Sequence, residues 1–310
     1  AAKIINEGGL VAFPTETVYG LGANALNPEA VAQIFLEKER PSFDPLIVHI
    51  ADIDDIKPLV KKFDPRIELL AKEFWPGPLT IVVEKSELVP EIVSSGLPTV
   101  ALRMPNNNIA LNLIRKSGCP IAAPSANKFG MLSPTSAEHV RKQLKNVNCI
   151  IDGGETTIGI ESTVIALHSK GFQILRPGVI TKAEIVKIIP YYEIEIENLP
   201  EMASPGLMKS HYSPNKPLFI SKDYPENIDI SKAARLTFTG INSNGYKTVV
   251  FLSEKQDLKE AAVNLFKALH QLEESDVEYI IAEPLPETGI GIAIMDRLKK
   301  AAYRFTIHNF

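Results

Sequence analysis

The first two-thirds of the chain alternates short apolar runs with stretches whose apolar positions recur every three or four residues. "GLVAFP" (9–14) reads as a buried strand, and "NPEAVAQIFLEKE" (27–39) as the helix that follows. Asn27 is suited to cap that helix, Pro28 fits its first turn, and Val31, Ile34 and Phe35 share one face. "PLIVHI" (45–50), "LTIVV" (79–83), "TVALRM" (99–104), "CIIDG" (149–153), "STVIAL" (162–167) and "FQILRP" (172–177) follow as strands. A helix fits 107–116, and "TSAE" (135–138) and "TKAE" (181–184) carry the capping-box pattern that starts one. The pattern predicts an α/β domain over residues 1–190 with a large, mixed sheet.

Residues 191–216 break the pattern. Pro200, Pro205, Pro214, Gly206 and several serines occur there without a period, which reads as a linker. Beyond it come "PLFIS" (217–221), "KTVVFLS" (247–253) and a helix over 258–274. That helix places Leu258, Ala262, Leu265, Leu269 and Leu272 on one face. "VEYIIAE" (277–283) and a last helix near 291–302 complete a βαβα pattern, predicting a smaller Rossmann-like domain over 217–310. It lacks G-x-G-x-x-G, so no nucleotide site is read there.

Composition narrows the class. A length of 310 residues fits two domains. With 45% hydrophobic residues and a mean hydropathy near zero, a soluble protein with real cores is expected. No run of about 18 apolar residues occurs, so no membrane partner is expected, and no charged-then-apolar leader is read at the start. Cys119 and Cys149 stand alone, without zinc spacing. They fit a reducing cytoplasm, as small buried hydrophobes. The net charge of −4 comes from 33 basic and 37 acidic residues. From residue 217 onward there are 11 basic and 13 acidic, leaving 22 and 24 before it, so each part carries about −2. That is not the broadly basic body of a dedicated nucleic-acid binder, although a local basic cleft is compatible with it.

Candidate chemistry begins in "KERPSFDPLIVH" (38–49). Lys38 and Arg40 fall at a helix end, where they complement its C-terminus. With Pro41 and Pro45 stiffening the turn, they would equally make an anion clamp. "PTETVYGLG" (14–22) offers the hydroxyls of Thr15 and Thr17, with Gly20 and Gly22 either forming a turn or letting a ligand approach the backbone. "APSAN" (123–127) puts Ser125 and Asn127 at a strand end. "SPT", "GIESTV" and "LRPG" add Ser133, Ser162, Thr163 and Arg176. Arg103 lies inside an apolar strand, and a buried guanidinium needs an anion from the protein or from a substrate. Residue types alone give an anion- or nucleotide-binding α/β domain without a Walker A or Rossmann phosphate loop.

The ordered set "FPTETVYGLGANAL", "KERPSFDPLIVHI", "WPGPLTIVV", "VALRMP", "PIAAPSAN", "SPTSAEHV", "IIDGG", "GIESTVI" and "ILRPG" is more specific than any one of them. Together they resemble the Sua5/YrdC family. "SPGLMKSHYSP" (204–214) looks like the linker of its long, Sua5-type members, and "GIGIAIMDRLKKAA" (289–302) like the end of their second domain. The resemblance implies a twisted, mixed-sheet YrdC-like domain with a concave basic cavity. It implies a threonylcarbamoyl-AMP synthase, a nucleotidyltransferase joining L-threonine, bicarbonate or CO2 and ATP into threonylcarbamoyl-adenylate and pyrophosphate. A separate transferase complex would pass the group to adenosine 37 of ANN-decoding tRNAs; direct tRNA binding is left open.

By the same resemblance, Thr17, His49, Arg103 and Ser162 face threonine. Lys38, Arg40, Asp44, Thr99, Ser125, Asn127, Ser133 and Arg176 line the ATP side, and His211 and Tyr212 fold over the nucleotide as a lid. Mg2+ accompanies ATP, with no dedicated protein ligands. His49 has the pKa range of a general base, but positioning threonine is an equal role. His139, His168, His270 and His308 fall outside the motifs, as surface or structural residues. Asp44 departs from the family pattern, which usually has Asn there; a carboxylate would repel phosphates unless Lys38, Arg40 or a metal intervenes. "NKFGML" (127–132) also departs and loosens the placement of Ser133. Two other readings stand beside this one. Hydrogenase-maturation carbamoyltransferases carry a related domain, but with Cys-rich zinc fingers that two lone cysteines do not supply. A non-catalytic RNA-binding module would show steep salt dependence without ATP turnover.

Overall fold

In the computed structural model, which describes residues 1–192, 210–221 and 228–305, nine strands form one mixed sheet. Most of the expected linker, with Pro200, Pro205 and Gly206, lies outside the described residues, as does His308. The strands are β1 (Val11–Phe13), β2 (Gly20–Asn24), β3 (Ile47–His49), β4 (Leu79–Glu84), β5 (Thr99–Arg103), β6 (Ile121–Ala122), β7 (Cys149–Ile150), β8 (Thr163–His168) and β9 (Gly171–Arg176). Across the sheet they run β7–β1–β2–β6–β3–β5–β4–β8–β9. Helices α1 (Ala2–Asn6), α2 (Pro28–Lys38), α3 (Arg66–Phe74), α4 (Glu91–Ser94), α5 (Asn108–Ser117), α6 (Ala137–Gln143) and α7 (Lys182–Ile185) flank it.

Side-chain alternation sets the two faces of this sheet. Val48, Ile81, Leu102 and Ile165 enter the main core with α2 and α3. Their neighbours Ile47, Val82, Ala101, Val164 and Leu175 form a separate patch on the opposite face. Ile47 of that patch lines the site described below. α2 starts where the sequence places it: the Asn27 side chain accepts from the Ala30 N–H, which stabilises the helix by about 1 kcal/mol. It stops at Glu39, whose φ of 54° is left-handed.

Three local expectations change. α6 is capped by Ser136, one residue after Thr135, because the Thr135 hydroxyl is engaged with His139 Nδ1 at 3.3 Å. "GLG" is no turn but the start of β2, paired antiparallel to β1, and its Gly20 lines the cavity described below. Its Gly22 is required by packing, since a Cβ there would stand 2.7 Å from the Phe13 ring. Cys119 and Cys149 are free thiols but only half-buried.

The second sheet holds β10 (Leu218–Ile220), β11 (Ala233–Thr237), β12 (Thr248–Phe251) and β13 (Tyr279–Ala282), all parallel in the order β10–β13–β11–β12. α8 (Leu258–Glu274) and α9 (Gly291–Tyr303) supply crossover and cover. β11 is the strand the pattern missed. It is buried throughout, so it shows no alternation, and Arg235 interrupts its apolar run. Among the described residues no helix is long and apolar enough to cross a membrane.

The two parts share a core. The second apolar cluster extends beyond α8 and α9 to Val18, Leu132 and Ile160 of the first part, and to Tyr212. Gly159 makes the closest approach. Its φ is +79°, and a Cβ would stand 2.4 Å from the Val263 carbonyl oxygen on α8. Beside it the rings of His139 and His270 stack with centroids 3.7 Å apart, and His270 Nε2 lies 3.1 Å from the Ser133 carbonyl oxygen.

Gly159→Ala therefore combines left-handed strain with a backbone clash, and urea titration should show a loss of at least about 1–3 kcal/mol. An unchanged midpoint would mean α8 does not rest on this loop. Acid should also weaken the interface. Burial, then the His139 ring, hold His270 down to about 4, and burial lowers His139 as well. A depressed His pKa stabilises the fold above its unfolded value near 6.5 and loses that contribution as pH falls towards 4. Thermal melts from pH 7 to 4.5 should show a drop on the order of 3 kcal/mol that His270→Gln flattens. Parallel pH profiles in variant and parent would contradict this.

Candidate functional site

Above Ile47, with its ladder partner Ala101 beside it, lies a cavity lined by residues from eight separate segments. β3 ends in His49 and β5 in Arg103, neighbours in the parallel ladder and two residues on from Ile47 and Ala101. The Pro14–Val18 loop brings Thr15 and Thr17, and the loop after β6 brings Ser125. Arg40 follows α2, Arg176 ends β9, and Glu161 precedes β8. His211 and Tyr212 close the top. With that pair seated, the space open to water is only about 50 Å³.

Three guanidinium groups share this wall, each nine-tenths buried or more. Arg40 pairs with Asp44 at 2.9 Å and donates to the Asp44 and Pro45 carbonyl oxygens. Arg103 pairs with Glu16 at 2.8 Å and donates to Thr17 Oγ1 at 3.0 Å and to the Gly77 carbonyl oxygen. Arg176 contacts Ser162: Nη2 donates to Oγ and Nε to the carbonyl oxygen, both at 3.1 Å. Ser162 is fixed in turn by Thr80, 2.7 Å away. Burial lowers the pKa of Arg40 and Arg176, yet a guanidinium keeps its charge in proteins. Arg40 and Arg103 thus have carboxylate partners, whereas Arg176 has a hydroxyl and a carbonyl. A buried cation without an anion is a strong attractor for one.

The expected ATP-side residues divide. Arg40, Ser125, Arg176, His211 and Tyr212 line the cavity, as do Thr17, His49 and Arg103 from the threonine set. Lys38 stands behind the wall. Its Nζ donates to the Ser125 carbonyl at 2.6 Å and to the Asn127 carbonyl, so it clamps the Ser125 loop instead of tipping the helix end. Asn127 turns its amide to the Lys128 and Met131 carbonyls. Ser133 Oγ donates to Glu161 Oε1. Asp44 answers Arg40, and burial raises its pKa against the pull of Arg40 and Lys38. Thr99 opens β5, opposite Glu84, outside the lining.

His49 differs from the general base its residue type allows. Burial, then the charge of Arg103, hold it down to about 3, so it is neutral and weakly basic at physiological pH. Its Nδ1 is buried without a protein partner, as are His211 Nδ1 and the Tyr212 hydroxyl. Among the described residues these three polar atoms at one cavity have hydrogen-bonding capacity that a ligand could use. Among the described residues no three His, Cys, Asp or Glu side chains group to hold a metal. Sequence reading missed Glu16 and Glu161, the acidic members of "PTETVYG" and "GIESTV". The signal for Glu16 was the unanswered buried Arg103, which asked for a carboxylate; Glu161 answers the distant Arg297 and had no such local signal.

His211 and Tyr212 are held from below. The Tyr212 ring lies against His211 (centroids 4.1 Å) and Phe266 of α8 (5.5 Å), with its own φ at +62°. The Ser213 N–H donates to the Gly130 carbonyl oxygen at 2.8 Å.

Residues 3–178 match the Sua5–YciO–YrdC family model, described as "Telomere recombination". Residues 180–303 match the model described as "Threonylcarbamoyl-AMP synthase, C-terminal domain". A Pyrococcus abyssi protein named threonylcarbamoyl-AMP synthase is 44% identical over 97% of this chain and 93% of its own. One of the same name from Bacillus subtilis is 43% identical over 97% and 92%. The crystal structure of P. abyssi Sua5 complexed with L-threonine superposes with a TM-score of 0.88, covering 98% of this chain and 93% of that one. The chain therefore belongs to the Sua5/YrdC family of threonylcarbamoyl-AMP synthases, in its two-domain form.

Proposed function

We propose that this cavity joins L-threonine, CO2 drawn from bicarbonate, and ATP into threonylcarbamoyl-adenylate, releasing pyrophosphate. One observation carries the reading: three buried guanidinium groups meet at one cavity, and among the described residues that of Arg176 has no carboxylate partner. The family's named activity agrees, and the 44% identical P. abyssi structure holds L-threonine.

The threonine nitrogen lone pair attacks CO2, and loss of the ammonium proton leaves a carbamate. A carbamate oxygen then attacks the α-phosphorus, and the bond to the bridging oxygen of pyrophosphate breaks. Two anions must be brought into contact, so cationic groups fixed in a dry site offset their repulsion. Arg103, with Thr17 and His49 beside it, takes the threonine end, and Ser162 joins that end to the phosphate end. Arg40, Arg176 and Ser125 take the phosphates, with Lys38 and Asn127 holding the Ser125 loop in place. Mg2+ enters as part of the ATP substrate, on phosphate oxygens and water. The carboxylates at and behind the cavity wall already answer arginines: Asp44 to Arg40, Glu16 to Arg103 and Glu161 to Arg297 of α9. A nucleotide needs far more than the present space, as ligand pockets usually measure about 300–1,000 Å³. His211 and Tyr212 therefore withdraw to admit ATP and return to exclude water from an adenylate that hydrolyses readily. The adenylate then supplies a separate transferase for tRNA modification.

Incubation with ATP, Mg2+, threonine and labelled bicarbonate should yield a labelled adenylate that disappears when threonine is omitted. Turnover of ATP without that species would refute the reading. Arg176→Ala removes charge-assisted hydrogen bonds of about 1.5–3 kcal/mol each, so ATP affinity should fall roughly 10- to 150-fold. An ATP affinity equal to the parent's would dismiss Arg176 as a phosphate ligand.

A further inference from the structure

α9 belongs to the second sheet's domain, yet one of its side chains ends inside the first. Arg297 has no exposed side-chain surface. Its Nε donates to Glu161 Oε2 at 3.0 Å, its Nη2 to the Glu161 carbonyl oxygen at 3.4 Å, and its Nη1 to the Pro177 carbonyl oxygen. Asp296 also lies 3.1 Å from Nη1. Glu161 is a cavity-lining residue next to Ser162, the contact of Arg176, and Pro177 follows Arg176 directly. One guanidinium therefore grips both segments of the wall that present Arg176. The same helix carries the cover: the His211 N–H donates to the Lys300 carbonyl at 3.3 Å, Ser213 Oγ donates to the Ala301 carbonyl at 3.1 Å, and the Arg297 guanidinium lies 5.5 Å from the Tyr212 ring centroid.

Glu161 poses a problem that Arg297 solves. A buried carboxylate demands a cation. Besides Arg297, the Arg176 guanidinium is near enough for its charge to feel Glu161. If Glu161 turned to Arg176, the protein would neutralise the cation that phosphate needs.

We propose that Arg297 is a positioning residue for adenylation, supplied by the second domain, which occupies Glu161 and so keeps Arg176 available to the nucleotide phosphates. The inference rests on the function proposed above. The second domain thereby completes the electrostatics of a site whose three lining guanidinium groups all come from the first.

The test uses the full chain, with ATP binding read by calorimetry using a non-hydrolysable Mg2+–ATP analogue, threonine KM read from adenylate formation, and urea unfolding of each variant. Arg297→Met should weaken nucleotide binding about 10-fold or more while threonine KM stays within about 2-fold. Glu161→Gln combined with Arg297→Met removes the competing carboxylate, and binding should return to within about 3-fold of the parent. A merely structural Arg297 would shift both substrates together with the unfolding midpoint. A folded Arg297→Met protein that binds nucleotide like the parent would overturn the proposal, and so would a double variant as weak as the single one. Should Arg297→Met not fold, the double variant is compared with Glu161→Gln alone: affinity within about 3-fold supports the coupling, and a further 10-fold loss rejects it. Should the parent bind nucleotide with these shifts but form no adenylate, the proposed reaction fails and the positioning role stands. Should it form adenylate while Arg297→Met binds nucleotide normally, only the positioning role fails.

Discussion

Everything about this cavity follows from the demand that buried guanidinium groups make for anions. Desolvating a charge costs several kcal/mol unless a partner compensates. The fold answers Arg40 with Asp44, Arg103 with Glu16 and Arg297 with Glu161. For Arg176 it provides Ser162, whose hydroxyl and carbonyl are dipoles and not charges. Of these four guanidinium groups, only that of Arg176 has no carboxylate partner among the described residues. A fully neutralised cavity would hold phosphates weakly, and one with every cation free would be hard to fold. Pairing all but one guanidinium satisfies both demands.

The same constraint explains why the two domains share a core. An ion pair such as Glu161–Arg297 is strong only where water is kept away, and water is kept away by close packing. Gly159 lets the backbone of its loop press on α8, and Val18, Leu132 and Ile160 join the second domain's apolar cluster around Tyr212. Apolar contact therefore protects the polar contact, and the cover over the cavity is built on that ground. His211 and Ser213 hang from the last turns of α9. The cover is thus tied to both parts, through Lys300 and Ala301 of α9 and through Gly130 of the first part.

How much of this was legible in the sequence depended on whether the signal was local. α2 announces itself by its Asn27 cap and apolar face and α8 by its apolar face, and both begin where those marks fall. β11 did not announce itself, because a strand buried on both sides has no alternation and Arg235 breaks its apolar run. The motifs located the right loops, yet which member of a motif reaches the cavity is decided by side-chain direction. Lys38 and Arg40 lie two residues apart, but Lys38 turns to the Ser125 and Asn127 carbonyls and Arg40 faces the cavity. Glu161 and Arg297 are 136 positions apart. No spacing rule connects them; only the interface does.

The environment that disqualifies His49 as a base has a consequence for the amine it would have served. Burial, and then the Arg103 charge, favour the neutral form of this imidazole. Neither effect is specific to imidazole. A threonine ammonium placed beside Arg103 in the same dry cavity would meet both, and its pKa would fall in the same direction. Capture of CO2 requires the neutral amine. In the proposed reaction, surroundings that disfavour the ammonium form would favour the nucleophile without any side chain accepting the proton inside. The threonine carboxylate and the phosphates gain from the positive field for the opposite reason, being anions. One electrostatic property thus serves both ends of the reaction: it holds the negative groups and keeps the nitrogen lone pair free.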